Sequence, residues 1–198
     1  MSGCLLFVIL YLAAAMYYPG GTPANRTSQG FSWSDNYWCN LLNDTAINGQ
    51  PNSAQPIAFA AMLVLVVALT VFWIIFPLVT GFKVTARLLI GLSGATSMLL
   101  AFFIFTGLHD LIINVAGLFG LIALGGTLIG LVRLRWMTLF YLGLIVIFLI
   151  GLNNLMYYSP GLTHYLPAVQ KITFAFFLFW ICSINIRWLA FQSSASVT

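Results

Sequence analysis

His109 and Asp110 stand side by side in a chain with only two histidines and three acidic residues, the others being Asp35 and Asp44. An imidazole beside a carboxylate can pass a proton or hold a polar headgroup. Asn114 follows Asp110 by four positions, so on a helix the two share a face. Asn153 and Tyr157 repeat that spacing later in the chain, and His164 and Lys171 add a second imidazole and a cation. With Asp35, these residues (His109, Asp110, Asn114, Asn153, Tyr157, His164, Lys171) form the candidate ligand-binding set. No catalytic residue is assigned among them. No metal or cofactor is expected, because two scattered histidines and three cysteines give no zinc spacing, and the chain has no HExxH, P-loop or GxSxG. A haem held by His109 and His164, or a hydrolase built on Ser32 or Ser34, can be drawn on paper and is disfavoured. Structural roles compete with the functional ones. Asp110 can cap a helix N-terminus. Lys171 can snorkel to an interface or pair with Asp35, Asp44 or Asp110.

The elements that must position these residues follow from composition. Apolar types make up 62% of the chain and charged residues 5%, against roughly 25% charged in a soluble domain. Lipid is the solvent that suits such a chain, and a polar group kept in lipid usually has a purpose. A helix crossing the hydrocarbon needs about 20 mainly apolar residues. Six stretches qualify, near 3–18, 57–80, 88–108, 111–132, 137–156 and 168–188. They are apolar on every side, whereas barrel strands alternate, so an all-helical bundle of six spans in one domain is expected. The first span is the shortest and reads as a retained anchor rather than a signal peptide.

Lys83, Arg87, Arg133, Arg135 and Arg187 fall on one face of that bundle. The tendency of Lys and Arg to stay on the cytoplasmic side predicts cytoplasmic termini and an outward-facing 19–56 loop. The net charge of +4 follows from the same rule and calls for no nucleic acid. The expected location is the cytoplasmic (inner or plasma) membrane.

All candidate residues then gather at the outer ends of the spans, under or within the 19–56 loop. In that loop Ser34 or Asp35 is expected to cap a short helix carrying Tyr37, Trp38, Leu41 and Leu42. Its aromatic residues suit the headgroup layer, so the loop reads as a lid. Cys39 is too far from Cys4 and Cys182 in this topology for a disulfide. Small residues such as Gly94, Ser97, Ala116, Gly120 and Gly126 are expected to let spans three and four approach closely. Pro77 is expected to kink or end span two. Spans three and four are expected to join through little more than His109-Asp110.

Three segments carry a family likeness: Asn36-Tyr37-Trp38-Cys39-Asn40-Leu41-Leu42, the run from Pro51 to Met62, and His109-Asp110-Leu111 through Ala116-Gly117-Leu118-Phe119-Gly120. With the six-span layout, the chain resembles the DRAM/Frag/Sfk-like superfamily and its bacterial six-span relatives. That resemblance implies a part in lipid remodelling, lipid distribution or membrane trafficking, without implying a reaction.

The leading expectation is a multi-pass protein that engages lipid headgroups or another amphiphile in an outer-face pocket, with membrane lipids as partners. A structural subunit of a larger membrane complex is the alternative, with Phe174, Phe176, Phe177, Phe179 and Trp180 as a partner-facing stripe. A lipid-modifying enzyme is the third reading. A coupled transporter fits least, since no ionisable group sits near mid-membrane and no duplicated half is visible.

Overall fold

Long apolar runs can satisfy their backbone only internally, and they do so as helices. The computed structural model describes residues 1–195, with side chains through Ser193. Six α-helices follow in order: α1 (Ser2–Met16), α2 (Gln55–Val79), α3 (Val84–Phe102), α4 (His109–Arg133), α5 (Met137–Tyr157) and α6 (Leu166–Ala195), with a short 3-10 helix (Trp38–Leu42) in the first loop. The described residues include two isolated β-bridges, Gly20 with Gln29 and Thr45 with Pro51, and no strand. Helices α2 to α6 are long and apolar enough to cross a membrane. Helix α1 has 15 residues, roughly 22 Å at 1.5 Å per residue, which is short of the length expected for a span. It lies along α2, with Gly3 against Ala68, well before the end of α2 at Val79.

The helices form two groups. Helices α1, α2, α3 and α4 pack in chain order as a row, and α5 packs on α6, while α4 meets α5 along a sparse seam. Small residues hold the row tight, as expected. A Cβ on Gly94 would sit 2.5 Å from the Trp73 ring, and one on Gly126 would sit 2.3 Å from Ile90. Ser97 Oγ donates to the Ala116 carbonyl at 2.8 Å, bonding α3 to α4 across that close approach. Between α5 and α6, the Trp180 indole N–H donates to the Leu139 carbonyl at 2.7 Å.

Several boundaries differ from the sequence reading: α6 runs on to Ala195 rather than ending near 188, and the link between α3 and α4 is longer. Helix α3 stops at Phe102 rather than near 108, because Phe103 and Ile104 turn back to the Leu100 and Ala101 carbonyls. Residues 103–108 therefore make the connection, and His109-Asp110 open α4 instead of linking the spans. Pro77 is buried in the last turn of α2, which ends at Val79. At the far end of α4, Arg135 adopts a left-handed φ of 57°. There the Trp136 N–H reaches back to Leu131 at 2.9 Å, closing the helix in the manner usually served by glycine.

Candidate functional site

Three buried asparagines organise the loop above the helices. Asn52 Nδ2 donates to the carbonyls of Asn40, Leu41 and Asn43, at 3.1, 3.2 and 2.8 Å. Asn36 is fully buried: its Nδ2 donates to the Gly21 carbonyl at 2.8 Å and its Oδ1 accepts from the Ser32 N–H at 2.8 Å. Asn40 Oδ1 accepts from the Tyr37 N–H at 2.7 Å, and this contact starts the 3-10 helix. The cap expected from Ser34 or Asp35 is not formed. Asp35 instead accepts the Ser32 and Ser34 hydroxyls at 2.6 and 2.7 Å, which hold its carboxyl below the usual carboxylate range.

The loop is tied down at two sides. On α6, Gln170 Oε1 accepts from the Trp38 N–H at 3.2 Å, and the Tyr37 hydroxyl donates to the Thr163 carbonyl, in the turn before α6, at 3.3 Å. On α1, the Tyr11 hydroxyl donates to the Trp38 carbonyl at 3.1 Å. Lys171 joins this fastening. Its Nζ donates to the carbonyls of Asn36 and Pro167, at 2.5 and 2.8 Å, and lies 5.5 Å from the Phe31 ring centre and 5.9 Å from that of Trp38. Of the two alternatives for Lys171, the ion pair with an aspartate is not formed among the described residues. The side chain curls toward backbone carbonyls of the loop and its own helix, which satisfy the ammonium closer to hand.

Beneath the loop lies a cavity of about 360 Å³. Every helix contributes to its wall, through Phe7 and Tyr11, Met62 and Leu65, Met98 and Ala101, His109 and Ile113, Tyr157, and Phe174 and Phe177; Tyr37, Trp38, Cys39 and Leu42 roof it. A second cavity of about 270 Å³ shares Met98, Ala101, Ile104, Ile113, Phe174 and Phe177 with the first. It runs to Gly117 and Leu121, which are exposed on the outside of α4 near the sparse seam with α5. The two cavities share this wall, and the second reaches the outer side of α4. Most of the wall is apolar, and His109, Tyr157, Gln170 and Tyr37 supply its polar end. Cys39 is a free thiol, and burial raises its pKa.

His109, Asp110 and Tyr157 come together at one corner. His109 Nδ1 lies 3.1 Å from Asp110 Oδ1, and the Tyr157 hydroxyl donates to the same oxygen at 2.5 Å. Asp110 therefore links the start of α4 to the end of α5 from within the first turn of α4, rather than serving as its cap. Its side chain is 71% exposed, while that of His109 is 33% exposed, so the carboxylate stands outside and orients two groups that line the cavity. Asn114 Nδ2 donates to the Asp110 carbonyl at 2.8 Å and to the Tyr158 hydroxyl at 3.0 Å, a second α4–α5 link just beyond.

The other candidates sit apart. Asn153 Nδ2 bonds Thr173 of α6 at 2.5 Å and the Leu149 carbonyl at 2.8 Å. His164 is exposed and its ring lies tilted against that of Tyr165. Asp44 accepts from Gln55 Nε2 at 2.5 Å. Among the described residues the His109–Asp110 contact is the one ion-pair geometry, and no group of three or more His, Cys, Asp or Glu could hold a metal ion.

Two groups outside the candidate set also shape the cavity space, Gln170 and Trp73. The indole N–H groups of Trp38 and Trp73 are both buried without an acceptor, and both residues line the space. Their apolar neighbours gave no cue, since an unmet donor is visible only once the fold surrounds it. On α6, Phe174 and Phe177 turn into the cavity and Trp180 into the core, leaving Phe176 and Phe179 outward. The five-residue aromatic stripe is thus split between two faces. No family model matches the chain, and neither a curated protein nor a solved structure matches it.

Proposed function

We propose that this multi-pass membrane protein holds an amphiphile, its apolar chain in the joined cavity and its polar end at His109 and Tyr157 beneath the 19–56 loop. The observation that carries this reading is the cavity itself, about 360 Å³ with an apolar wall and one polar corner, in the range of small-molecule sites at roughly 300–1,000 Å³.

The roles divide accordingly. His109, Tyr157 and Gln170 contact the polar end. Asp110 positions His109 and Tyr157 and reaches the rim. Lys171, Asp35, Asn36 and Asn52 hold the loop as a lid. The opening between α4 and α5 beside Gly117 is the lateral entry for a chain already in the bilayer. In this reading the tendency of Lys and Arg to stay cytoplasmic puts both termini and the arginine-bearing helix ends inside, with the loop outside. Membership of the DRAM/Frag/Sfk-like superfamily, with its link to lipid handling, is part of this proposal.

The test is mass spectrometry of amphiphiles retained after purification, comparing the native chain with Ala101→Phe, which fills the space shared by both cavities. The reading expects one retained amphiphile per chain in the native protein and loss of it in Ala101→Phe. Equal retention in a folded Ala101→Phe variant would remove the cavity from the account.

A further inference from the structure

The opposite end of the bundle carries its own concavity. A cavity of about 560 Å³ lies between the α4–α5 turn, the start of α5 and the last turns of α6, lined by Arg135, Trp136, Thr138, Ser183 and Arg187 among others. The basic residues at this end fall into two kinds. Arg87 Nε donates to the Phe82 carbonyl at 2.7 Å, and Arg133 donates to the Gly81 carbonyl at 3.4 Å and stacks on Phe82 at 4.4 Å. These two arginines brace the α2–α3 turn. The side chains of Arg135 and Arg187, among the described residues, make no hydrogen bond, ion pair or ring contact, and both line the cavity.

We infer that this cavity binds a phosphate group, presented by the headgroup of an anionic lipid in the cytoplasmic leaflet. Two guanidinium groups supply ten N–H donors suited to paired contacts with phosphate oxygens. The hydroxyls of Thr138 and Ser183 stand in the same wall, with Trp136 at the base, an arrangement that fits a headgroup between spans at the cytoplasmic surface. The start of α5 has no side-chain cap, so its first N–H groups add positive potential to the same space. The backbone agrees. Arg135 occupies a left-handed position, φ 57°, where glycine is the easy choice. An arginine kept there at a conformational cost is explained by a use for its side chain.

This site is separate from the cavity under the loop, and its test separates them too. The full-length protein in detergent is offered an equimolar mixture of phosphatidylglycerol and phosphatidylcholine, and bound lipid is read by native mass spectrometry. Arg135→Gly relieves the backbone, so the variant folds at least as well as the native chain and any loss of binding belongs to the side chain. The native protein should prefer phosphatidylglycerol. The preference should fall about fivefold in Arg135→Gly or Arg187→Gln and about thirtyfold in the double variant. Phe179→Ala, outward and outside both cavities, should leave it intact. A parallel arm adds inorganic phosphate at millimolar concentration. Failure to displace the lipid supports the lipid headgroup as the source, and full displacement supports a soluble phosphate at the same site. No preference in the native protein, or an unchanged preference in the double variant, would overturn the inference.

Discussion

The two ends of this bundle use polar residues in opposite ways. At the loop end, polar side chains are turned inward on one another: Asn36, Asn52 and Lys171 spend their donors on backbone carbonyls, and Asp110 gathers His109 and Tyr157. At the arginine end, connections are short, and Arg135 and Arg187 face a concavity without protein partners. Chain length explains part of the contrast. A long loop over a membrane surface must satisfy its own backbone where it is buried, and asparagine, with donor and acceptor on a short stem, does this at several carbonyls at once. A tight turn has few carbonyls to satisfy and can leave its cations for an outside partner. One end encloses a space, and the other meets a surface.

The largest effect expected from breaking this contrast is at Asn52. Replacing it with leucine strands three buried carbonyls, and the protein should lose about 3 kcal/mol in detergent unfolding, at about 1 kcal/mol or more per group. Arg133→Gln at the other end should cost less than about 1 kcal/mol by the same measurement. A loss between those two, about 1–3 kcal/mol, is expected for Gly94→Ala, because the added methyl meets the Trp73 ring in the tight row of helices. Gly117→Ala, beside the open seam where nothing lies within 4 Å, should change unfolding by under about 0.5 kcal/mol. Tyr157→Phe should also leave stability within about 0.5 kcal/mol, yet lower retained amphiphile, since it removes the hydroxyl at the polar corner.

The smallest effect concerns pH. The Ser32 and Ser34 hydroxyls depress the Asp35 pKa, so the carboxylate favours the folded loop above its unfolded pKa of about 3.9. That contribution is lost as pH falls through the folded value. The stability difference between the native chain and Asp35→Asn, followed by thermal unfolding, should therefore be small near pH 7 and vanish in acid. A difference that grows on acidification contradicts the assignment.

Much of this architecture was legible in the chain. Apolar runs of helical length gave α2 to α6, and the scarcity of acids made His109-Asp110 and Tyr157 conspicuous. What was hidden depends on distant partners. Lys171 looked like half of an ion pair because sequence shows charges and not carbonyls, yet its partners are the Asn36 and Pro167 carbonyls. Asp35 looked like a helix cap because the competing acceptor, Asn40 Oδ1, lies on the C-terminal side of the turn it closes. Helix α3 ends early at a turn whose hydrogen bonds leave no strong composition signal before Gly107. A cavity is a gap between elements, so Met98, Ala101 and Phe174 read as ordinary core residues until six helices and a loop surround them.

The most direct test of the enclosed space is photo-crosslinking in bilayers with a phospholipid bearing a diazirine near the end of its acyl chain, with adducts mapped by peptide mass spectrometry. The account predicts adducts on Met98, Ala101 and Phe174, lost in Ala101→Phe. Adducts confined to outward residues such as Leu63, Val67 and Phe179 would contradict it.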